Sequence, residues 1–169
     1  MARAAEFLPA ARKIIPRSRL GRLAASLRRR GLRVVFTNGC FDLLHAGHLW
    51  LLEAARRRGD CLVVGINSDA SVRALGKGPG RPVIGARRRA LLIASLACVD
   101  YVTVFPEATP LRTIETLHPD ILVKGADWGT DAIIGSDLVR ARGGKVVRIP
   151  LVKGLSTSAL IERIRRTGR

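Results

Sequence analysis

Five short apolar runs, rich in β-branched residues, punctuate the chain: V-V-F-T at 34–37, L-V-V-G-I at 62–66, Y-V-T-V-F at 101–105, I-L-V at 121–123 and V-V-R-I at 146–149. Runs this short, without strict alternation, suit strands covered on both faces. Helix-patterned segments separate them, and strand–helix–strand connections build parallel sheets by crossover. The pattern predicts an α/β fold with a five-stranded, mostly parallel sheet and helices on both faces.

The helical segments read at 48–58, 86–97, 111–117, 134–142 and 157–166, with one more ahead of the first strand. There, Leu20, Leu23, Ala24 and Leu27 form one apolar face, Ser18 offers an N-cap, and Gly31 supplies a left-handed stop. Residues 1–16 are rich in Ala and Arg, carry Pro9 and Pro16, and show no sustained periodicity. They are expected to form a loose leader, with 17–169 as a single domain. G-K-G-P-G-R-P at 76–82 reads as a mobile loop.

Thirty Lys and Arg against 13 Asp and Glu give a net charge of +17, which favours anionic partners. Nucleic acid is not expected among them: aromatics are only 4%, and no zinc finger, RNP aromatic motif or long basic helix is present. The clusters 28–30, 56–58 and 87–89 read as solvated arginine-rich helix faces. No run of about 18 apolar residues could span a bilayer, and no secretory signal is evident, so no membrane association is expected. Cys40, Cys61 and Cys98 lack the paired spacing of a zinc site or disulfide framework and fit reduced thiols in a cytoplasmic protein.

Ligands of open parallel sheets bind beyond the carboxyl ends of the strands. T-N-G-C-F-D-L-L-H-A-G-H, 37–48, follows the first strand. It is neither the G-x-G-x-x-G of a dinucleotide site nor a P-loop. Gly39 permits close approach of backbone to a ligand, and His45 and His48 flank Gly47 where a helix should begin. A helix N-terminus favours phosphate and disfavours imidazolium, leaving neutral rings that each donate one N–H. Two donors about one turn apart could hold the non-bridging oxygens of a phosphate as its charge grows. Helix capping by these histidines is the alternative. A zinc site using Cys40 or His118 lacks any familiar ligand spacing.

The longer string F-T-N-G-C-F-D-L-L-H-A-G-H resembles the signature of nucleotidyltransferases related to the cytidylyltransferases. G-D-C-L-V-V-G-I-N-S-D-A-S-V at 59–72, R-P-V at 81–83, I-L-V-K-G-A-D-W at 121–128 and G-L-S-T-S-A-L-I at 154–161 are similar, in order, to the adenylyltransferase domain of the ADP-heptose synthases. The resemblance runs from about residue 13 to the end. It implies a Rossmann-like fold and transfer of AMP from ATP, with Mg²⁺, to D-glycero-β-D-manno-heptose 1-phosphate. His45, His48 and Lys77 would be catalytic. Thr37, Asn38, Gly39, Phe41, His45, His48, Arg89, Lys124, Gly125, Ser156, Thr157 and Ser158 would bind the nucleotide, and Asp42, Lys77 and Asp127 the sugar phosphate. No protein metal ligand is implied.

The resemblance further implies a separate sugar kinase in the pathway, a step toward lipopolysaccharide inner core or another heptosylated product, and a homodimer. Plainer roles stand beside these. Lys77 could be a solvated loop lysine, Arg89 a surface arginine, Lys124 and Asp127 a buried ion pair, and Ser156 to Ser158 ordinary caps. Asn67-Ser68-Asp69 could contact substrate or merely turn the chain, and Asp69 is left outside the catalytic set. The alternative enzyme is a cytidylyltransferase acting on glycerol 3-phosphate or another small phosphate. A nucleic-acid binder on this fold, or a nucleotide-binding regulator without turnover, are the other competitors.

Overall fold

In the computed structural model, residues 8–76, 78–126, 133–150, 152 and 154–167 are described. Five strands, β1 (Val34–Gly39), β2 (Cys61–Asn67), β3 (Tyr101–Phe105), β4 (Ile121–Gly125) and β5 (Lys145–Ile149), form one sheet in the order β3-β2-β1-β4-β5. Every pairing is parallel, so the expected sheet is present with no antiparallel member. The fold is Rossmann-like.

Alternation along the strands sorts side chains into two cores. Val35, Leu62, Val64 and Val102 face Leu52 and Ala55 of α3 (Ala46–Arg56) and Ala90 and Ile93 of α5 (Ala86–Ala94). Val34, Phe36, Val63 and Leu122 face Leu20, Ala24 and Leu27 of α2 (Arg17–Arg29), Ile114 and Leu117 of α6 (Leu111–Leu117), and Val139 of α7 (Ser136–Ala141). Each fully buried Val, Leu, Ile or Phe among them stabilises the fold by roughly 1.5–3 kcal/mol. α8 (Thr157–Thr167) closes the series.

Several local expectations are corrected. α2 starts at Arg17 with Pro16 in the N-cap position, two residues before Ser18, because proline has no N–H to satisfy and is tolerated at a helix entry. Its end matches: Gly31 (φ 65°) lets its own amide bond to Arg28 and that of Leu32 to Leu27. A short helix, α4 (Asp69–Ala74), occupies a stretch read as a turn, capped by Ser68, whose Oγ accepts from Ser71 N at 3.1 Å. Residues 8–16 are no loose leader. α1 (Ala10–Lys13) packs beside α5, Ile14 bridges Val102, Ile15 N bonds to Val102 O at 2.7 Å, and Lys13 Nζ donates to the carbonyls of Leu96 and Val99. The open edge of β3 offers backbone partners that hydropathy cannot reveal.

An aspartate stands immediately before β2, β3 and β4, and each performs one task. Asp60, Asp100 and Asp120 accept from the amides of Arg33, Leu62 and Val34 at 2.9, 2.7 and 2.7 Å. Their own amides return bonds to the carbonyls of the same three residues. The pairing register is thereby fixed at the amino edge of the sheet.

Candidate active site

β1 lies between β2 and β4, so the chain leaves it in opposite directions on its two sides. That reversal opens a crevice at the carboxyl edge. β1 and β4 pair only through Val35–Ile121 and Phe36–Leu122, and their last residues part. A cavity of about 250 Å³ sits there, with Asn38, Asn67, Thr109, Lys124 and Ile134 in its wall. Its wall holds one cation and no acid among the described residues. Lys124, nearly buried, donates through Nζ to Asn38 Oδ1 across the gap. A larger cavity of about 680 Å³ lies at the opposite edge, among Leu27, Cys61, Ala94 and Tyr101. Of these two, the smaller is the candidate because it adjoins the strand carboxyl ends.

His45 is the N-cap residue of α3, and His48 lies in its first turn. Their rings stack with centroids 3.8 Å apart and planes 22° from parallel. Phe41 meets His48 edge-on at 5.2 Å. Gly47 makes the arrangement possible, since a Cβ there would lie 3.0 Å from His45 Nδ1 and 3.3 Å from Leu155 Cβ. His45 Nδ1 is buried with no hydrogen-bond partner among the described residues. Burial also holds the His45 imidazole below its ordinary value of 6.5, in the neutral form that donates without adding charge.

The Leu155 contact brings the start of α8 to the start of α3. Ser156 caps α8, its Oγ accepting from Ala159 N at 3.1 Å, with Thr157 and Ser158 in the first turn. Two helix N-termini and two imidazoles are therefore drawn to one edge of the sheet. Unsatisfied amides and positive dipole ends suit a polyanion there.

Other expected residues take different places. Gly39 leaves room for the Phe41 ring, which a Cβ would meet at 3.1 Å, and Phe41 is buried as a support for His48. Thr37 is fully buried and stays out of the cavity wall, with its Oγ1 unpartnered among the described residues. Gly125 is buried at the end of β4. Lys77 and Asp127 lie outside the described residues.

Two residues expected at the site are engaged by the protein itself. Asp42 is buried and spends its carboxylate on the protein, accepting from Arg81 Nε at 2.5 Å and from the amides of Val83 and Ile84 at 2.9 Å each. Burial pushes its pKa up, but the Ile84 and Val83 amides and the Arg81 guanidinium outweigh this and hold the carboxyl below its usual range. Arg89 is likewise internal: its guanidinium donates to Ile84 O, Cys40 O and Asp69 Oδ1. Asp69 also accepts from Ala86 N.

Sequence reasoning missed Cys40, Leu75, Pro110 and Ile133 as cavity wall residues, and it left Asn67 undecided between substrate and turn. Asn67 ends β2, and its position just after a strand was the available signal. Among the described residues no cluster of three or more His, Cys, Asp or Glu could hold a metal ion. No described helix is long and apolar enough to cross a membrane.

A family model described as cytidylyltransferase-like matches residues 36–163. The chain is 60% identical over 137 residues to bifunctional protein HldE of Syntrophotalea carbinolica, covering 81% of this chain and 28% of the relative. It is 54% identical over 152 residues to bifunctional protein HldE of Trichlorobacter lovleyi, covering 90% and 31% respectively. The chain thus spans under a third of the length of these curated relatives. Among solved structures, the lipopolysaccharide core biosynthesis protein from Thermoplasma volcanium is similar at 30% identity and a TM-score of 0.61, covering 73% of this chain and 98% of that one.

Proposed function

This chain belongs to the cytidylyltransferase-like family, and from that premise we propose that it transfers AMP from ATP to D-glycero-β-D-manno-heptose 1-phosphate, giving ADP-heptose and pyrophosphate. The observation that carries the reading is the meeting of the His45–His48 pair with the Ser156 end of α8 across Gly47 and Leu155. Such a place suits a triphosphate better than a single phosphate, because it offers donors from two helix ends. Relatives named as bifunctional, and a solved neighbour named for lipopolysaccharide core biosynthesis, support the sugar-phosphate side.

In this reading an oxygen of the sugar phosphate attacks the α-phosphorus of ATP. The bond from that phosphorus to the oxygen bridging toward the β-phosphate breaks, and pyrophosphate leaves with the electron pair. No protein nucleophile is needed, so catalysis is positioning and charge stabilisation. His45 and His48 donate N–H groups to phosphate oxygens, and the α3 and α8 amides hold the remaining charge. Lys124, set by Asn38, places its ammonium at the crevice. Lys77 and Asp127 complete the acceptor side, as the resemblance implies. Magnesium enters as the counter-ion of ATP and belongs to the substrate.

The proposal includes a separate sugar kinase acting before this step, a homodimer, and a cytoplasmic location. The test is pyrophosphate release with Mg²⁺, heptose 1-phosphate and ATP, repeated with His45→Ala and His48→Ala in folded protein. ATP-dependent release lost in both variants is expected. Release with CTP alone would move the assignment to a cytidylyltransferase, and no release with either nucleotide would overturn the reading.

A further inference from the structure

We infer that Arg89 is a positioning residue for the histidine pair, acting through the turn Cys40-Phe41-Asp42. This inference rests on the polyphosphate reading of that pair. Arg89 is 0% exposed, although it opens as the third arginine of a cluster whose other members, Arg87 and Arg88, are exposed. Burying a guanidinium is costly unless every donor finds a partner. An apolar side chain of similar volume would fill the same space at lower cost, so the charge is explained by what it holds.

What it holds is a closed ring of bonds around one residue. Arg89 donates to Cys40 O on one side of Phe41 and, through Nε at 2.7 Å, to Ile84 O. The Ile84 amide donates to Asp42 Oδ1 at 2.9 Å on the other side of Phe41. Val83 N and Arg81 Nε fasten the second oxygen of Asp42, and Asp69 Oδ1 anchors the far end of Arg89 at 2.6 Å. Both peptide neighbours of Phe41 are thus pinned, Cys40 to α5 itself and Asp42 to the segment before it.

Phe41 needs such pinning. Its φ of 46° is left-handed, a conformation that costs a residue with a side chain about 1–2 kcal/mol. In that conformation its ring lies against Gly39 and edge-on to His48. Should the turn relax, the surface on which His48 rests would move with it. Arg89 touches neither nucleotide nor reacting atom; it fixes the support of a group that does.

The test compares Arg89→Lys with Arg88→Lys in the full chain, without ligand. Lysine keeps the charge and loses the planar fork that reaches three acceptors at once. By NMR, the His48 ring resonances should move in Arg89→Lys and stay in place in Arg88→Lys, because the shift induced by the Phe41 ring depends on its position. In the pyrophosphate assay kcat should fall about 10- to 100-fold in Arg89→Lys, with KM for ATP changing far less.

If Arg89→Lys does not fold, Asp69→Asn weakens one anchor of the same guanidinium and should move the same resonances by a smaller amount. A folded Arg89 or Asp69 variant with the His48 resonances at their original positions overturns the inference, whatever the activity. Displaced resonances in a protein that never releases pyrophosphate would keep the positioning role and overturn the polyphosphate reading instead.

Discussion

Lys124 of β4 donates to the side-chain oxygen of Asn38 of β1 at the place where those two strands stop pairing. The bond fixes an ammonium beside the crevice, where a charge that develops on phosphate would meet a partner already in position. Lys124→Met removes that charge while keeping most of the side-chain volume. We expect kcat/KM for ATP to fall about 100-fold, the scale of losing one prearranged donor to a developing oxyanion. Asn38→Ala, which removes this bond without deleting the ammonium, should cost less. Steady-state kinetics on both folded variants check the order.

Gly47 has no side chain because His45 and Leu155 occupy the room one would need. Gly47→Ala should leave α3 intact, since alanine is a good helix former. It should also push the His45 ring off its stack on His48 and lower kcat about 10- to 100-fold. A crystal structure of the variant with both rings unmoved, or unchanged kcat, would contradict this.

The neutral state of His45 predicts a pH dependence with a definite sign. Its folded pKa lies below 6.5, so the unfolded chain takes up the proton more readily. The stability linked to this ring is fully present above about pH 6.5 and is lost as the pH falls through the window below it, down to the folded value. The acid limb of kcat/KM assigned to His45, which reports the free enzyme, should likewise lie below 6.5. An NMR titration of the His45 ring checks both, and a midpoint at or above 6.5 would contradict them.

Gly59 tests the frame without touching the site. A Cβ there would lie 2.7 Å from Arg33 O, which is backbone and has little freedom to yield. Gly59→Ala should lower stability by about 1–3 kcal/mol, the usual cost of overpacking, and leave kcat unchanged below its unfolding transition. A urea titration read beside the pyrophosphate assay separates the two effects.

Much of this fold was legible because its strands are short, β-branched and buried, a pattern that survives without knowledge of their partners. The H-A-G-H turn was legible too, since its chemistry is local: two imidazoles, one glycine and a helix start within four residues. The internal bonding of Arg89 and Asp42 was not legible, for one reason. Side-chain type announces charge, but whether a charge faces solvent, ligand or protein depends on residues far along the chain, here Ile84 for both. The packing of residues 14 and 15 on β3 was hidden because backbone hydrogen bonds leave no mark on composition.

The three aspartates that precede β2, β3 and β4 index the sheet from the edge opposite the crevice. Strand alignment therefore does not depend on the loops that carry the chemistry. Those connections, after β2 and β3 above all, can lengthen, shorten or change residue type without sliding one strand past another. A scaffold built in this way is modular: a new acceptor requires rewriting a few loops at one rim, while the alignment beneath them stays as it was.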